Sequence, residues 1–377
     1  MIAKKIGVIG GGQLAWMMGL IAPKLGLELI IQTPNIDDPA VSGAKDVVLA
    51  AIADEQATAK LAKLTDAITF ENEFINLKAL LSLENQGVVF RPSLTALLPL
   101  LDKYVQRSYL QSIDVPVPNF ALLEKPEDLH GFSSQTFPLV LKARRHGYDG
   151  QGTFIVKNVD ELTNVWQKYN CPSMLIEEFV PFQKELAIMV ARNTQGEIVT
   201  YPVVETFQQE QVCRQVIAPA EISESISNQA QAIAKNLVTE LEFVGILGIE
   251  FFLTSSQKLL VNEIAPRTHN SGHYSLDACD ISQFEMQLRA VANLPITEPI
   301  FKAKTALMVN LLGYEVSQSD YQAKRTKIAQ FPHTFVHWYG KKGARPGRKM
   351  GHVTVLFLDN YVQAKEIACR IEAIWNP

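Results

Sequence analysis

Two apolar runs, GILGIEFFL at 245–253 and LLVNEI at 259–264, each carry one carboxylate inside a strand pattern, Glu250 and Glu263. No other feature constrains the fold as strongly, because an uncompensated carboxylate in an apolar strand is costly. The linking residues TSSQK suit a turn. The runs are therefore expected to pair as a hairpin with Glu250 and Glu263 on one face. Behind the second run, Pro266 fixes the exit, and Arg267, His269, Asn270 and His273 crowd the loop. Two acids on one face match what Mg2+ takes from a protein, namely one or two carboxylates, with water and substrate phosphate completing the shell. The competing reading salt-bridges one acid to Arg267 and caps a turn with the other. Two acids converging with the Asn262 amide and an arginine favour the metal.

Phosphate chemistry is legible upstream. A strand over 137–142 ends in Lys142, and the loop RRHGYDGQGT follows over 144–153. Its glycines Gly147, Gly150 and Gly152 permit close backbone approach, and Lys142 supplies a point charge for phosphate oxygens. The alternative is a long glycine-rich hairpin turn with a solvated lysine. The loop is not a Walker A sequence. A further strand over 174–178 ends in Glu177 and Glu178 and runs into Phe179 and Val180, with Glu185 on the next strand. Backbone groups from Glu178 to Val180 suit the edge of an adenine and Glu185 suits ribose hydroxyls; two acids on a sheet edge is the plainer reading.

At the amino end, a strand over 6–9 meets Gly10, Gly12 and Ala15 and then a helical pattern, satisfying G-x-G-x-x-G/A. The second strand, 27–31, ends in Gln32-Thr33 where a dinucleotide site needs an acid. This predicts a Rossmann-like layer without an NAD site, its glycine turn still open to phosphate or a small ligand. Strands over 46–50 and 67–70 extend a parallel sheet. Glu71 and Glu73 end the latter, as site residues or as the N-terminal charge of a helix over 75–83. A helix carrying Asp102-Lys103 precedes VPVP at 115–118, which reads as a domain boundary. Amphipathic helices are expected over 227–241, packed beneath the hairpin, and over 282–293. Beyond Pro295, short strands over 306–312, 334–339 and 352–358 suggest a β-rich domain. It carries the basic turn KKGARPGRK at 341–349, which either grips a substrate phosphate or is a solvated face.

The 377 residues allow two or three domains. A net charge of −4 gives no reason to expect nucleic acid as a partner. Four scattered cysteines show no metal or redox spacing, and neither a signal segment nor a membrane-length apolar run is evident. A soluble cytoplasmic protein is expected.

Lysine strand, glycine loop, acid-ended strand and paired carboxylates, in that order, resemble the ATP-grasp superfamily over roughly 103–293. The words GGGQL, TFENE, GYDGQG, NEIAPRTHNSGH and HWYGK…RPGRKMGH are together similar, essentially end to end, to the 5-(carboxyamino)imidazole ribonucleotide synthetases of purine biosynthesis. The resemblance implies a mixed α/β and α+β fold. Residues 1–100 would be a Rossmann-like domain, 101–294 the ATP-grasp region with a lid subdomain near 117–185, and 295–377 a β-rich domain. It implies ATP, bicarbonate and aminoimidazole ribonucleotide as substrates, Mg2+ on Glu250 and Glu263, and a homodimer. Nucleotide would be held by Lys103, Lys142, the loop residues Gly147, Tyr148, Asp149, Gly150, Gln151, Gly152 and Thr153, and the strand-end residues Glu177, Glu178, Phe179 and Val180. Glu185, Gln208, Asn262 and Glu263 complete that set. Arg267 would steady the transferring phosphoryl group, and Asn270 and His273 would line the bicarbonate side. Tyr148 and the catalytic Asp149 would close over the aminoimidazole, and Gln13, Glu73, Lys341 and Arg348 would hold the ribotide. Ala15-Trp16 stands where such sequences usually carry Gly-Arg, and Gln208 where a histidine is common. Another ATP-grasp ligase, such as a formate-dependent glycinamide ribonucleotide transformylase, and a non-enzymatic nucleotide-binding regulator are the rival expectations.

Overall fold

A computed structural model describes residues 2–128, 137–145, 152–170, 172–357 and 361–376. The described strands form three sheets. The first is parallel, built from β1 (Lys5–Ile9), β2 (Glu28–Thr33), β3 (Asp46–Leu49) and β4 (Ala67–Phe70) in the order β3-β2-β1-β4. Parallel neighbours need crossovers, which helices Gln13–Ile21 and Glu55–Leu64 supply. This is the Rossmann-like layer expected from the glycine turn. The helix expected over 75–83 runs Leu77–Asn85, because the Asn76 side chain accepts from the Ala79 N–H and caps it there.

The second sheet is antiparallel: β5 (Phe120–Leu123), β6 (Leu139–Ala143), β7 (Thr153–Val156) and β8 (Met174–Glu178), ordered β5-β8-β6-β7. The β6 ladder starts after Pro138, which has no N–H to donate. This sheet packs a small core of its own around Leu141, Leu162 and Trp166.

The third sheet has nine strands. They are β9 (Phe182–Arg192), β10 (Ile198–Thr200), β11 (Val204–Gln209), β12 (Val212–Ala218), β13 (Gly245–Thr254), β14 (Leu259–Ala265), β15 (Thr305–Leu312), β16 (Thr334–Trp338) and β17 (Lys349–Phe357). The order is β14-β13-β9-β11-β12-β15-β17-β16, with β10 beside β9. The three C-terminal strands thus extend this sheet instead of forming one of their own. The reason lies in β15, buried at every position, which needs cover on both faces and a paired strand at each edge. Helix Glu224–Glu240, capped by Ser223, lies against β9 and β14 through Ala230, Ala234 and Leu237. One core cluster joins Ile9 and Leu94 of the first layer to Leu186, Leu237 and Val261 of the third. The N-terminal layer is thereby packed against the acid-bearing hairpin.

Candidate active site

In the hairpin, Glu250 on β13 and Glu263 on β14 are direct cross-strand partners, with a bulge immediately after Glu250. Residues directly opposite share a face, so both carboxylates leave the sheet on one side. Their neighbours Ile249, Phe251, Val261 and Ile264 are buried. Lys103 Nζ lies 3.1 Å from Glu263 Oε2, and His269 Nε2 lies 3.7 Å from Glu250 Oε1. The two acids are electrostatically unequal. Burial, then the charge of Glu263, pushes Glu250 up to about 8. Burial also works to raise Glu263, but Lys103 and Lys142 outweigh it and hold that carboxyl below the ordinary range.

This donor set fits a hard divalent cation. Two facing carboxylates, one forced toward its protonated form by burial and then by the other, relieve their repulsion on a dication. Among the described residues no group of three or more His, Cys, Asp or Glu is arranged to hold a metal. A pair alone leaves the remaining positions to water and phosphate, as Mg2+ prefers.

Helix Lys103–Ser112 supplies the cationic wall. Lys103, Gln106 and Arg107, at i, i+3 and i+4, share one face and all reach β14. Lys103 meets Glu263, Gln106 exchanges hydrogen bonds with the backbone of Ile264, and Arg107 donates to the carbonyl of Asn262. Arg107 also pairs with buried Glu177, whose other oxygen lies 2.6 Å from Lys142 Nζ. Lys142 Nζ donates to Asn262 Oδ1 at 3.2 Å. Glu177 therefore aims the lysine and holds it, and its oxygens are taken up beneath the cleft instead of facing a nucleotide. The helix is capped by Asp102, which accepts from the Tyr104 and Val105 N–H groups and also binds Arg144 and Arg145 at the base of the glycine loop. The i, i+3, i+4 spacing of polar residues in KYVQRSYL is a signal from which Gln106 and Arg107 were findable and were missed.

Of the glycine loop, Gly147, Tyr148, Asp149, Gly150 and Gln151 lie outside the described residues. Gly152 has a φ of +81°, and an added Cβ would come within 2.9 Å of Ala143 Cβ, so this position requires glycine. Thr153 stands opposite Lys142 in the β6–β7 ladder. Glu178 is tied to Asn119 through side-chain and backbone bonds; Phe179 is exposed and Val180 buried. Glu185, pushed up to about 7 by burial, pairs in register with Phe252 and Thr206, and its charge adds to the raising of Glu250. Gln208 lies half-buried on β11.

The amino-terminal layer enters the site through its acids. Arg267 forms a two-pronged pair with Glu73, at 2.6 and 3.0 Å, joining the exit of β14 to the end of β4. Glu71 departs from expectation. Its carboxylate accepts from the Gly12 N–H at 2.9 Å and the Leu14 N–H at 3.3 Å, and so fills the anion position of the glycine turn that was left open for phosphate. The physical cause is proximity: β4 lies beside β1, so the residue following β4 falls at the helix start following β1. Gln13, first residue of that helix, accepts from Lys341 Nζ at 2.6 Å across 328 residues of sequence, and Lys341 donates also to the Lys349 carbonyl. Arg348, the other expected phosphate ligand, turns back to the carbonyls of Lys342 and Gly343 in its own turn.

Beyond Arg267, the loop does not place its histidines as expected. His269, absent from the expected set, points at Glu250 and is pulled to about 4 by burial and then by Arg267 and Lys349, so it is neutral near neutral pH. The approach is close enough that a Cβ on Gly248 would meet His269 Cβ at 2.7 Å. His273, expected on the bicarbonate side, has no solvent exposure and lies beneath the loop. Asn270, 9% exposed, forms a reciprocal amide pair with Asn310 of β15.

Comparison with known proteins agrees along the whole chain. Residues 3–98 match the ribonucleotide synthetase preATP-grasp domain family, 108–284 the ATP-grasp domain family and 306–366 the phosphoribosylaminoimidazole carboxylase C-terminal domain family. An N5-carboxyaminoimidazole ribonucleotide synthase of Synechocystis sp. is 52% identical over 386 residues, covering 99% of this chain and 98% of that protein. The crystal structure of the corresponding synthetase from Thermotoga maritima superposes with a TM-score of 0.88 at 42% identity, covering 98% of both chains. The Aspergillus clavatus synthase in complex with ADP and 5-aminoimidazole ribonucleotide gives 0.91 at 29% identity over 99% of both. The chain belongs to the N5-carboxyaminoimidazole ribonucleotide synthase family of ATP-grasp ligases.

Proposed function

We propose that this chain carries out the ATP-dependent carboxylation of 5-aminoimidazole ribonucleotide in purine biosynthesis, with bicarbonate as the carbon source and carboxyphosphate as the intermediate. Kinship with enzymes of that name supports the overall conversion. The observation that carries the chemistry is the facing pair Glu250 and Glu263, walled by Lys103 and Lys142. Mg2+ held by the two carboxylates would neutralise charge on the ATP phosphates. Lys142, aimed by Glu177, and Lys103 bind phosphate oxygens from the other side. A bicarbonate oxygen attacks the γ-phosphorus, the bond to ADP breaks, and Arg267 offsets the charge of the transferring group. Carboxyphosphate releases phosphate and carbon dioxide, and the ribotide amine takes up the carbon dioxide and loses a proton. In this reading His269, whose neutral ring faces Glu250, takes that proton and passes it to the phosphate released.

In this reading Gln13, Glu73, Lys341 and Arg348 hold the ribotide, Tyr148 and Asp149 close over it, and Glu178 to Glu185 receive the nucleoside. Residues 1–100 then bring Gln13 and Glu73 to the ribotide, 101–294 hold the nucleotide, and 295–377, whose strands continue the central sheet, bring Lys341 and Arg348, in a cytoplasmic homodimer. The test is ADP release from ATP, Mg2+ and bicarbonate with and without aminoimidazole ribonucleotide, beside a sedimentation measurement of assembly. Release that depends on the ribotide is expected. ATP binding without ribotide-dependent release would leave a nucleotide-binding regulator instead.

A further inference from the structure

Helix Gln283–Ala292 opens with a side chain that the scheme above leaves unused. Gln283 has no solvent exposure, and its amide is fully engaged. Oε1 accepts from the His269 N–H at 2.9 Å; Nε2 donates to the His269 carbonyl at 2.8 Å and lies 2.8 Å from His273 Nδ1. A side-chain amide has two N–H donors, and both are directed at these partners. The His269 carbonyl also faces the His273 ring; with both amide protons so directed, we assign Nδ1 as the acceptor of the Gln283 amide and the ring proton to Nε2. That Nε2 is buried without a hydrogen-bond partner among the described residues, and the ring packs between Phe284 and His352 at centroid distances of 5.4 and 5.2 Å. The imidazole has no solvent exposure. Gly272 completes the fit, since a Cβ there would come within 2.7 Å of Gln283 Oε1.

We propose that His273 and Gln283 are a positioning pair: the His273 imidazole fixes the orientation of the Gln283 amide, and that amide clamps both backbone groups of His269, holding its ring against Glu250. The inference rests on the proposed reading of the cleft as the catalytic site. It replaces a catalytic role for His273 with one exercised through another residue. Displacement of a reacting group by as little as an ångström lowers turnover without lowering substrate affinity in proportion.

The test uses the full chain with His273→Asn, His273→Gln, His273→Leu and Gln283→Met, and two readouts. Asparagine sets an amide oxygen where Nδ1 stands, whereas glutamine reaches the place of Nε2. Hydrogen exchange of the peptide containing His269, followed by mass spectrometry, is independent of activity. His273→Asn is expected to stay protected like wild type, and the other three variants to exchange at least about tenfold faster. In ribotide-dependent ADP release, His273→Asn is expected to keep kcat within about threefold, and the others to lose at least about tenfold, with KM for ATP within about twofold. Unchanged exchange in His273→Leu and Gln283→Met would overturn the clamp. Rescue of kcat by glutamine and not by asparagine would put Nε2 in contact with the reacting groups and overturn it as well. Absence of ribotide-dependent release from wild type would remove the proposed reaction, while the exchange order would still decide the clamp.

Discussion

Glu177→Gln removes one negative charge from a side chain only 3% exposed, where it faces two cations, Arg107 and Lys142. Burial works to raise this carboxyl, yet the two cations outweigh it and hold it at about 2. Set against the ordinary 4.5, that depression corresponds to about 3 kcal/mol in favour of the charged form. Removing one partner of a buried ion pair costs about 3–5 kcal/mol by independent measure. Lys142 returns part of this, because burial, with Arg107 and Lys103, holds its ammonium below the ordinary range despite Glu177. The low end, about 3 kcal/mol, is therefore expected, or a fall of about 3–6 °C in unfolding midpoint for a chain of this size. The sign of the pH dependence follows from the depressed carboxyl. Its stabilisation is fully present above the ordinary 4.5 and is lost as pH falls toward about 2. Thermal unfolding of wild type and variant should differ at neutral pH and converge on acidification. Equal midpoints at neutral pH, or a gap that persists unchanged in acid, would refute the account of Glu177 as the anchor of the cationic wall. A second consequence is a weaker apparent affinity for ATP, because Lys142 loses the group that aims it.

Glu263→Gln should abolish ribotide-dependent ADP release while leaving the circular dichroism spectrum unchanged, since the amide keeps the shape and loses the anionic ligand; near wild-type turnover would sink the metal assignment. Glu250, pushed up to about 8, is protonated near neutral pH, so Mg2+ bound as proposed would displace one proton. Calorimetric Mg2+ affinity is expected to rise about tenfold per pH unit up to about pH 8 and then level off, and a pH-independent affinity would contradict this. Arg348→Ala should cost about 1.5–3 kcal/mol of ribotide affinity, roughly ten- to a hundredfold in its KM, with that of ATP little changed. Unchanged saturation curves for both substrates would make the basic turn a solvated face.

What was legible in the sequence followed from local rules. The carboxylate pair came from two apolar runs separated by a turn, and the Rossmann-like layer came from a glycine turn between a strand and a helix. The hairpin register sets Glu250 opposite Glu263 as the periodicity of two strands demands. The absence of an acid after β2 also argued against a dinucleotide. Long-range geometry decided the remainder. Nothing in the linear order places Glu71 on the Gly12 and Leu14 amides, Glu73 on Arg267, or Gln13 on Lys341; each contact exists because packed layers bring strand ends together. His269 and His273, four residues apart in one loop, look equivalent as sequence. Tertiary structure separates them, turning one ring toward Glu250 and burying the other under Gln283, because the turn at Gly272 must close against a helix that begins ten residues beyond His273.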